Sequence, residues 1–142
     1  SQPCLVRTWS LDGVLRDERT LPNATRHGGV RIALDSSGAP RLVATHFGEH
    51  DAWSERGEPM RLVPGHSSAL ASVASAPDGA LFAAAYGPEV VVVTKDFREQ
   101  VARFVTDCPF VRALAFHPTE PRLAVAVGER GGGRGRPRRA RP

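Results

Sequence analysis

The sequence predicts an all-β protein built from repeated antiparallel sheets, on three observations. First, Gly38 in Asp35-Ser36-Ser37-Gly38 lies forty-one positions before Gly79 in Ala76-Pro77-Asp78-Gly79, and Glu120 in His117-Pro118-Thr119-Glu120 lies forty-one beyond that. Second, each of these turns separates two short apolar stretches, the pattern of a β-hairpin. Third, no segment keeps apolar residues at i, i+3, i+4 and i+7 for three turns without a Gly or Pro, which disfavours helix.

The elements follow in order. Leu5-Val6-Arg7-Thr8-Trp9 alternates as a strand and runs into Ser10-Leu11-Asp12-Gly13. It resembles the later Ala52-Trp53-Ser54-Glu55-Arg56-Gly57, since both place Trp-Ser ahead of a Gly. Val14-Leu15 and Thr20-Leu21 then belong to a second, outer strand. Val30-Arg31-Ile32-Ala33-Leu34, the turn at Ser36-Ser37-Gly38 and Leu42-Val43-Ala44 form the first full hairpin. Leu70-Ala71-Ser72-Val73-Ala74, Pro77-Asp78-Gly79 and Leu81-Phe82-Ala83-Ala84-Ala85-Tyr86 form the second. Val111-Arg112-Ala113-Leu114-Ala115-Phe116, His117-Pro118-Thr119-Glu120 and Leu123-Ala124-Val125-Ala126-Val127 form the third. Ile32, Val73 and Leu114 keep the forty-one-residue spacing, as do Phe82 with Leu123 and Gly87 with Gly128.

After the second hairpin, Val90-Val91-Val92-Val93-Thr94 is a β-branched run suited to a strand buried on both faces. Lys95-Asp96-Phe97-Arg98 makes a polar turn, and Val101-Ala102-Arg103-Phe104-Val105 alternates as a fourth strand. Four strands in about forty residues is the size of a propeller blade. The expected fold is therefore all-β, with antiparallel four-stranded blades of a partial β-propeller. Residues 1–24 are expected to end one blade, 25–64 and 65–107 to form two whole blades, and 108–128 to begin another. Residues 129–142 are Gly, Arg and Pro without an anchoring apolar side chain and are expected to be disordered.

These residues resemble the WD-repeat β-propeller family, which places Gly-His before the first strand of a blade and Trp-Asp near the end of the third. Gly65-His66 precedes Leu70, and His27 precedes Val30. Trp9-Ser10 and Trp53-Ser54 take the Trp-Asp place, with Ser for Asp. The resemblance runs from residue 4 to 128. The family's His–Ser/Thr–Asp–Trp hydrogen-bond chain has His27, Thr45 and Trp53 as matches in the first full repeat, with either Glu49 or Asp51 as the acid. The second repeat keeps His66, but Ala85 and Val93 replace the Ser/Thr and Trp, so apolar packing alone is expected to hold it. A closed ring needs typically four to eight blades. About three blade-equivalents are present, which points to a piece of a larger protein or a truncated product with two open flanks.

Composition fixes the function classes. The chain has 142 residues, 41% hydrophobic and 24% charged, ordinary for a globular protein. No stretch approaches the roughly 18 apolar residues of a membrane helix. The opening Ser1-Gln2-Pro3-Cys4 has neither a basic region nor a long apolar one, so a cytoplasmic location is expected. Cys4 and Cys108 are distant and read as reduced thiols. The net charge is +4, yet residues 129–142 alone carry +5, leaving −1 for residues 1–128. The excess base is Arg130, Arg134, Arg136, Arg138, Arg139 and Arg141, a possible contact for RNA or DNA phosphates. No aromatic residue lies between these arginines to stack on bases.

No phosphate loop, nucleophile elbow or dinucleotide fingerprint is present. His46-Phe47-Gly48-Glu49-His50-Asp51 gathers potential ligands, but on a strand-and-loop pattern that suits a solvated loop better than a metal site. His27 and His66 read as structural hydrogen-bonding groups; with Trp9, Gly38, Trp53 and Gly79 they are the structural repeat positions, and no catalytic, cofactor or metal residue is assigned. The resemblance implies a non-catalytic scaffold that binds protein partners through its turns and the segments around His27 and His66. Two alternatives stand beside it: a nucleic-acid adaptor acting through the arginines, and part of a signalling enzyme whose catalytic portion lies elsewhere.

Overall fold

The computed structural model describes residues 4–21, 31–44, 50–66 and 70–128. Within them the chain is all-β, with twelve strands and no helix. β1 (Cys4–Trp9) and β2 (Leu15–Leu21) form an antiparallel hairpin. β3 (Arg31–Leu34), β4 (Pro40–Ala44), β5 (Ala52–Trp53) and β6 (Pro59–Met60) form an antiparallel sheet in chain order. β7 (Leu70–Ser75), β8 (Leu81–Tyr86), β9 (Glu89–Thr94) and β10 (Gln100–Val105) repeat that arrangement with longer strands. β11 (Phe110–Phe116) and β12 (Leu123–Gly128) make a final hairpin.

The hairpins form where the turn chemistry allows. Gly38 and Gly79 both take left-handed backbone angles, φ 86° and 74°, which a residue with a Cβ adopts only at a cost. Asp35 closes the first turn by accepting the amide hydrogens of Ser37 and Ala39 at 2.9 and 3.0 Å. Asp78 accepts that of Ala80 at 3.0 Å in the second. In the third turn a histidine replaces the aspartate: His117 Nδ1 accepts from Thr119 and Glu120 at 3.1 and 2.9 Å. His117 is thus a turn residue, as its place beside Pro118 implies.

A second set of matched turns links the outer strand pairs. Ser10 donates its amide to Val14 and accepts from Gly13, at 2.9 and 3.0 Å. Ser54 does the same with Glu58 and Gly57, and Thr94 with Glu99 and Phe97. Gly13 and Gly57 have φ of 89° and 80°, and Phe97 adopts φ 64° in the same place. The Trp-Ser likeness between the start of the chain and residues 52–57 is therefore a likeness of backbone geometry as well.

Packing follows the alternation of side chains across each strand. Along β8, Phe82, Ala84 and Tyr86 belong to a core shared with Ala33, Leu42 and Ala44 of the preceding sheet. Ala83 and Ala85 belong to a core shared with Val111 and Leu114 of β11. β9 divides the same way, Val91 and Val93 to one side, Val90 and Val92 to the other. All four of these valines are buried, so the β-branched run is covered on both faces as its composition requires. Each such burial stabilises by about 1.5–3 kcal/mol as an upper estimate, making β9 a central support of the fold. β1 packs through Val6 onto Val43 and Trp53.

The two flanks differ from this interior. Leu5 and Trp9 on β1 are 47% and 54% exposed, and every residue of β10 is exposed. Among the described residues, no strand pairs with the outer edge of β12. No helix among them is long and apolar enough to cross a membrane.

Candidate functional site

The three turns spaced by forty-one residues come together along one rim. Gly79 is buried against the first turn: a Cβ there would stand 2.8 Å from the Ser36 Cβ and 3.0 Å from the Ser36 nitrogen. The second and third turns share a groove of about 950 Å³, lined by residues 76–78 on one side and 116–123 on the other. Its floor is apolar, formed by Leu81, Val92 and Phe104 from the sheet and by Phe116 and Leu123 from the last hairpin.

Charges of both signs decorate this rim. Burial disfavours ionisation of Asp35, but the Ser37 hydroxyl, the amides of Ala39 and Ser37 and the nearby Arg41 outweigh it and hold the carboxyl below its ordinary value. Asp96 is likewise held below the usual carboxylate range, chiefly by the Thr94 hydroxyl, which donates to it at 2.7 Å. Glu120 pairs with Arg122 at 3.1 Å. Arg41 is buried and donates from Nε to the Trp53 carbonyl at 3.0 Å, with its guanidinium 4.3 Å from the Phe97 ring centre. Burial lowers its pKa, with Asp35 opposing. Cation–π contact and one backbone bond thus fix this cation between two sheets.

The opposite end of the sheets holds a polar network. His66 Nε2 lies 3.2 Å from Glu89 Oε1, and Arg103 approaches the same oxygen at 2.9 Å. The His66 ring stacks on Tyr86 with centroids 4.4 Å apart. Tyr86 donates its hydroxyl to Asp51 Oδ2 at 3.0 Å, and the Leu62 amide donates to Asp51 Oδ1 at 2.8 Å. Burial first, then the Asp51 carboxylate, pushes the Tyr86 phenol pKa upward.

This network corrects one expectation. Loss of the Ser/Thr and Trp places at Ala85 and Val93 does not leave residues 65–107 to apolar packing alone. His66 finds Glu89 instead, because Glu89 opens β9 directly opposite Tyr86, the residue His66 stacks on. Asp51 is an acid that acts in the structure, but across sheets to Tyr86.

Of the other residues singled out in the sequence, Trp53 is buried at 1% exposure and Trp9 is not. His27, Thr45, His46, Glu49 and the six arginines from Arg130 to Arg141 lie outside the described residues. His50 and Asp51 are within them, and both Asp51 oxygens are engaged by Tyr86 and Leu62. Among the described residues, no three His, Cys, Asp or Glu side chains gather as a metal site. Sequence reasoning missed Glu89, Arg103 and the groove-lining role of Phe104. Only the alternation of residues 101–105 hinted at the last, and nothing local marks the first two.

No protein-family model matches the chain, and no curated protein matches it. The polar side chains of the rim are spent largely on neighbouring turns. The rim offers an apolar slot bordered by both signs of charge.

Proposed function

We propose that the chain is a non-catalytic protein-interaction module of WD-repeat propeller type, each four-stranded sheet being one blade. The observation that carries this reading is the rim: three turns at one sequence period lie side by side, Ser36 against Gly79 and residues 76–78 across the groove from residues 117–122. A scaffold that holds successive loops in register presents an extended surface on which function depends on loop composition. The stacking of sheets in chain order and the recurrence of one turn at Ser10, Ser54 and Thr94 support the blade assignment.

Selection of displayed peptides against the whole protein tests the reading. Binders are expected that lose affinity with Asp78→Arg or Glu120→Arg and keep it with Asp107→Ala, at the opposite end of the sheets. Binders indifferent to the rim variants would overturn it. A second reading, association with RNA or DNA, is favoured by the six arginines between 130 and 141. Retention on a polyanion that falls steeply with salt and disappears on deleting residues 129–142 would support it. Retention unchanged by the deletion would remove it.

A further inference from the structure

The chain contains one sheet-to-sheet contact twice over, once formed and once with its two halves apart. In the formed contact, the β1–β2 hairpin supports the next sheet: Val6 meets Val43 and Trp53, and a Cβ on Gly57 would stand 3.3 Å from the Arg19 guanidinium. The turn from Ser54 to Gly57 therefore lies over β2. Val6 and Arg19 are opposite one another in the β1–β2 ladder, as Val90 and Phe104 are in the β9–β10 ladder. So β9–β10 offers the same support, and the groove of about 950 Å³ lies over it, floored by Val92 and Phe104.

The matching insert is also on the chain. Trp9 precedes Ser10 and its Gly13 turn as Trp53 precedes Ser54 and its Gly57 turn. Trp53 is 1% exposed because a sheet lies against it, while Trp9 is 54% exposed. Leu5 and Leu15 extend the same uncovered hairpin, at 47% and 44%. Strand complement agrees as well: among the described residues no strand pairs with the outer edge of β12, and β1 lies at the edge of its own hairpin. Between the two edge strands themselves no like charges oppose pairing. β12 carries no charged residue, and Arg7, the sole charge on β1, is held by Glu18 at 2.7 Å.

We infer that a second copy of this chain docks its β1–β2 hairpin into the groove, with β1 pairing antiparallel to β12 and Trp9 packed over Val92 and Phe104. The register follows from the β8–β9 ladder, where Phe82 faces Val93. Leu123 stands forty-one residues after Phe82, and Trp9 takes the place of Val93, so Leu123 faces the incoming Trp9. The contact is heterologous, joining two different surfaces, so it either closes a ring or propagates. If each sheet is a blade, a deduction that rests on the propeller reading, the described residues of two copies contribute four whole sheets and two shared ones. That total of six lies within the usual range for closure, so a closed two-chain ring is expected.

Sedimentation of the full chain and of Trp9→Asp and Phe104→Asp, alone and mixed, tests the inference. Wild type is expected as a two-chain species, and each variant alone as a monomer, with affinity weakened at least a hundredfold. The equimolar mixture is expected to regain a two-chain species, because one intact Trp9 still meets one intact groove. Trp53 fluorescence in Trp9→Asp checks folding, as it is then the only tryptophan and stays blue-shifted if buried. A monodisperse wild-type monomer at high micromolar concentration, or variants that associate like wild type, would overturn the docking. A ladder of larger species abolished by the same two variants would support the docking while counting against the six-sheet ring and hence the propeller reading.

Discussion

Tyr86→Phe isolates the bond that ties the two four-stranded sheets at their polar end. The ring stays in the core and keeps its stack on His66; only the hydroxyl is lost. That hydroxyl donates to Asp51 Oδ2 at 3.0 Å, and Asp51 is 4% exposed. A hydrogen bond to a charged group contributes about 1.5–3 kcal/mol net. The Leu62 amide still serves the other oxygen, so a loss of about 2 kcal/mol is expected in urea unfolding at pH 7. The effect has a pH signature. A phenol whose folded pKa lies above its unfolded value contributes stability that is fully present below about pH 10 and declines as pH rises further, because the unfolded chain releases its proton first. The slope approaches 1.36 kcal/mol per pH unit, so wild type loses about 1.4 kcal/mol by pH 11 through this group alone. Tyr86→Phe lacks that increment, and the two stability curves converge above pH 10. Tyr86 is the single tyrosine of the chain, so phenolate absorbance reports it directly and is expected to rise only with unfolding. Phenolate appearing near pH 10 in the folded protein, or a variant within 0.5 kcal/mol (about a twofold change in equilibrium constant) of wild type, would refute the reasoning.

Three further outcomes follow from geometry. Gly38→Ala and Gly79→Ala both force a side chain into a left-handed turn, a cost of about 1–2 kcal/mol; Gly79→Ala is expected to cost more, since its Cβ meets Ser36 backbone and side chain while Gly38 faces open space. Equal losses of thermal stability would contradict the close approach of the turns. Phe97→Gly relieves a strained φ worth about 1–3 kcal/mol but removes packing against Phe82 and Arg41, so a net loss of about 1 kcal/mol is expected, well below the 3–5 kcal/mol of Phe82→Ala. Asp35 is a carboxylate with a lowered folded pKa, so its contribution is present above about pH 4 and lost as pH falls. Asp35→Asn is expected to flatten the acid limb of the stability curve below pH 4, and an unchanged limb would assign that loss to other carboxylates.

Much of the strand layout was legible because it is local. Alternation, the β-branched run from Val90 to Val93 and the turn residues at 36–38 and 77–79 all act within a few positions of themselves. The similar turns at Ser10 and Ser54 were legible for the same reason. What escaped was long in sequence: His66 to Glu89 spans 23 residues and Asp51 to Tyr86 spans 35, with no spacing rule to link them. Phe97 escaped for another reason. Its φ of 64° is set by a turn that elsewhere uses Gly, and packing on Arg41 offsets the backbone cost. The fourth strand was legible as alternating, yet its exposed apolar side chains in the groove depend on which sheet face is left uncovered, a tertiary fact.

The division of apolar contacts also sets the order in which the fold comes apart. β8 and β9 contribute to cores on both sides, whereas the β1–β2 hairpin is held chiefly through Val6. Local opening free energies therefore rise from the first hairpin toward the centre of the second four-stranded sheet. Amide protons of Thr8 and Arg19 exchange with solvent through brief separations of one hairpin, while those of Ala84 and Val91 wait for the whole molecule. The chain is thus a gradient of cooperativity, with a slow-exchanging interior whose lifetime is the lifetime of the native state.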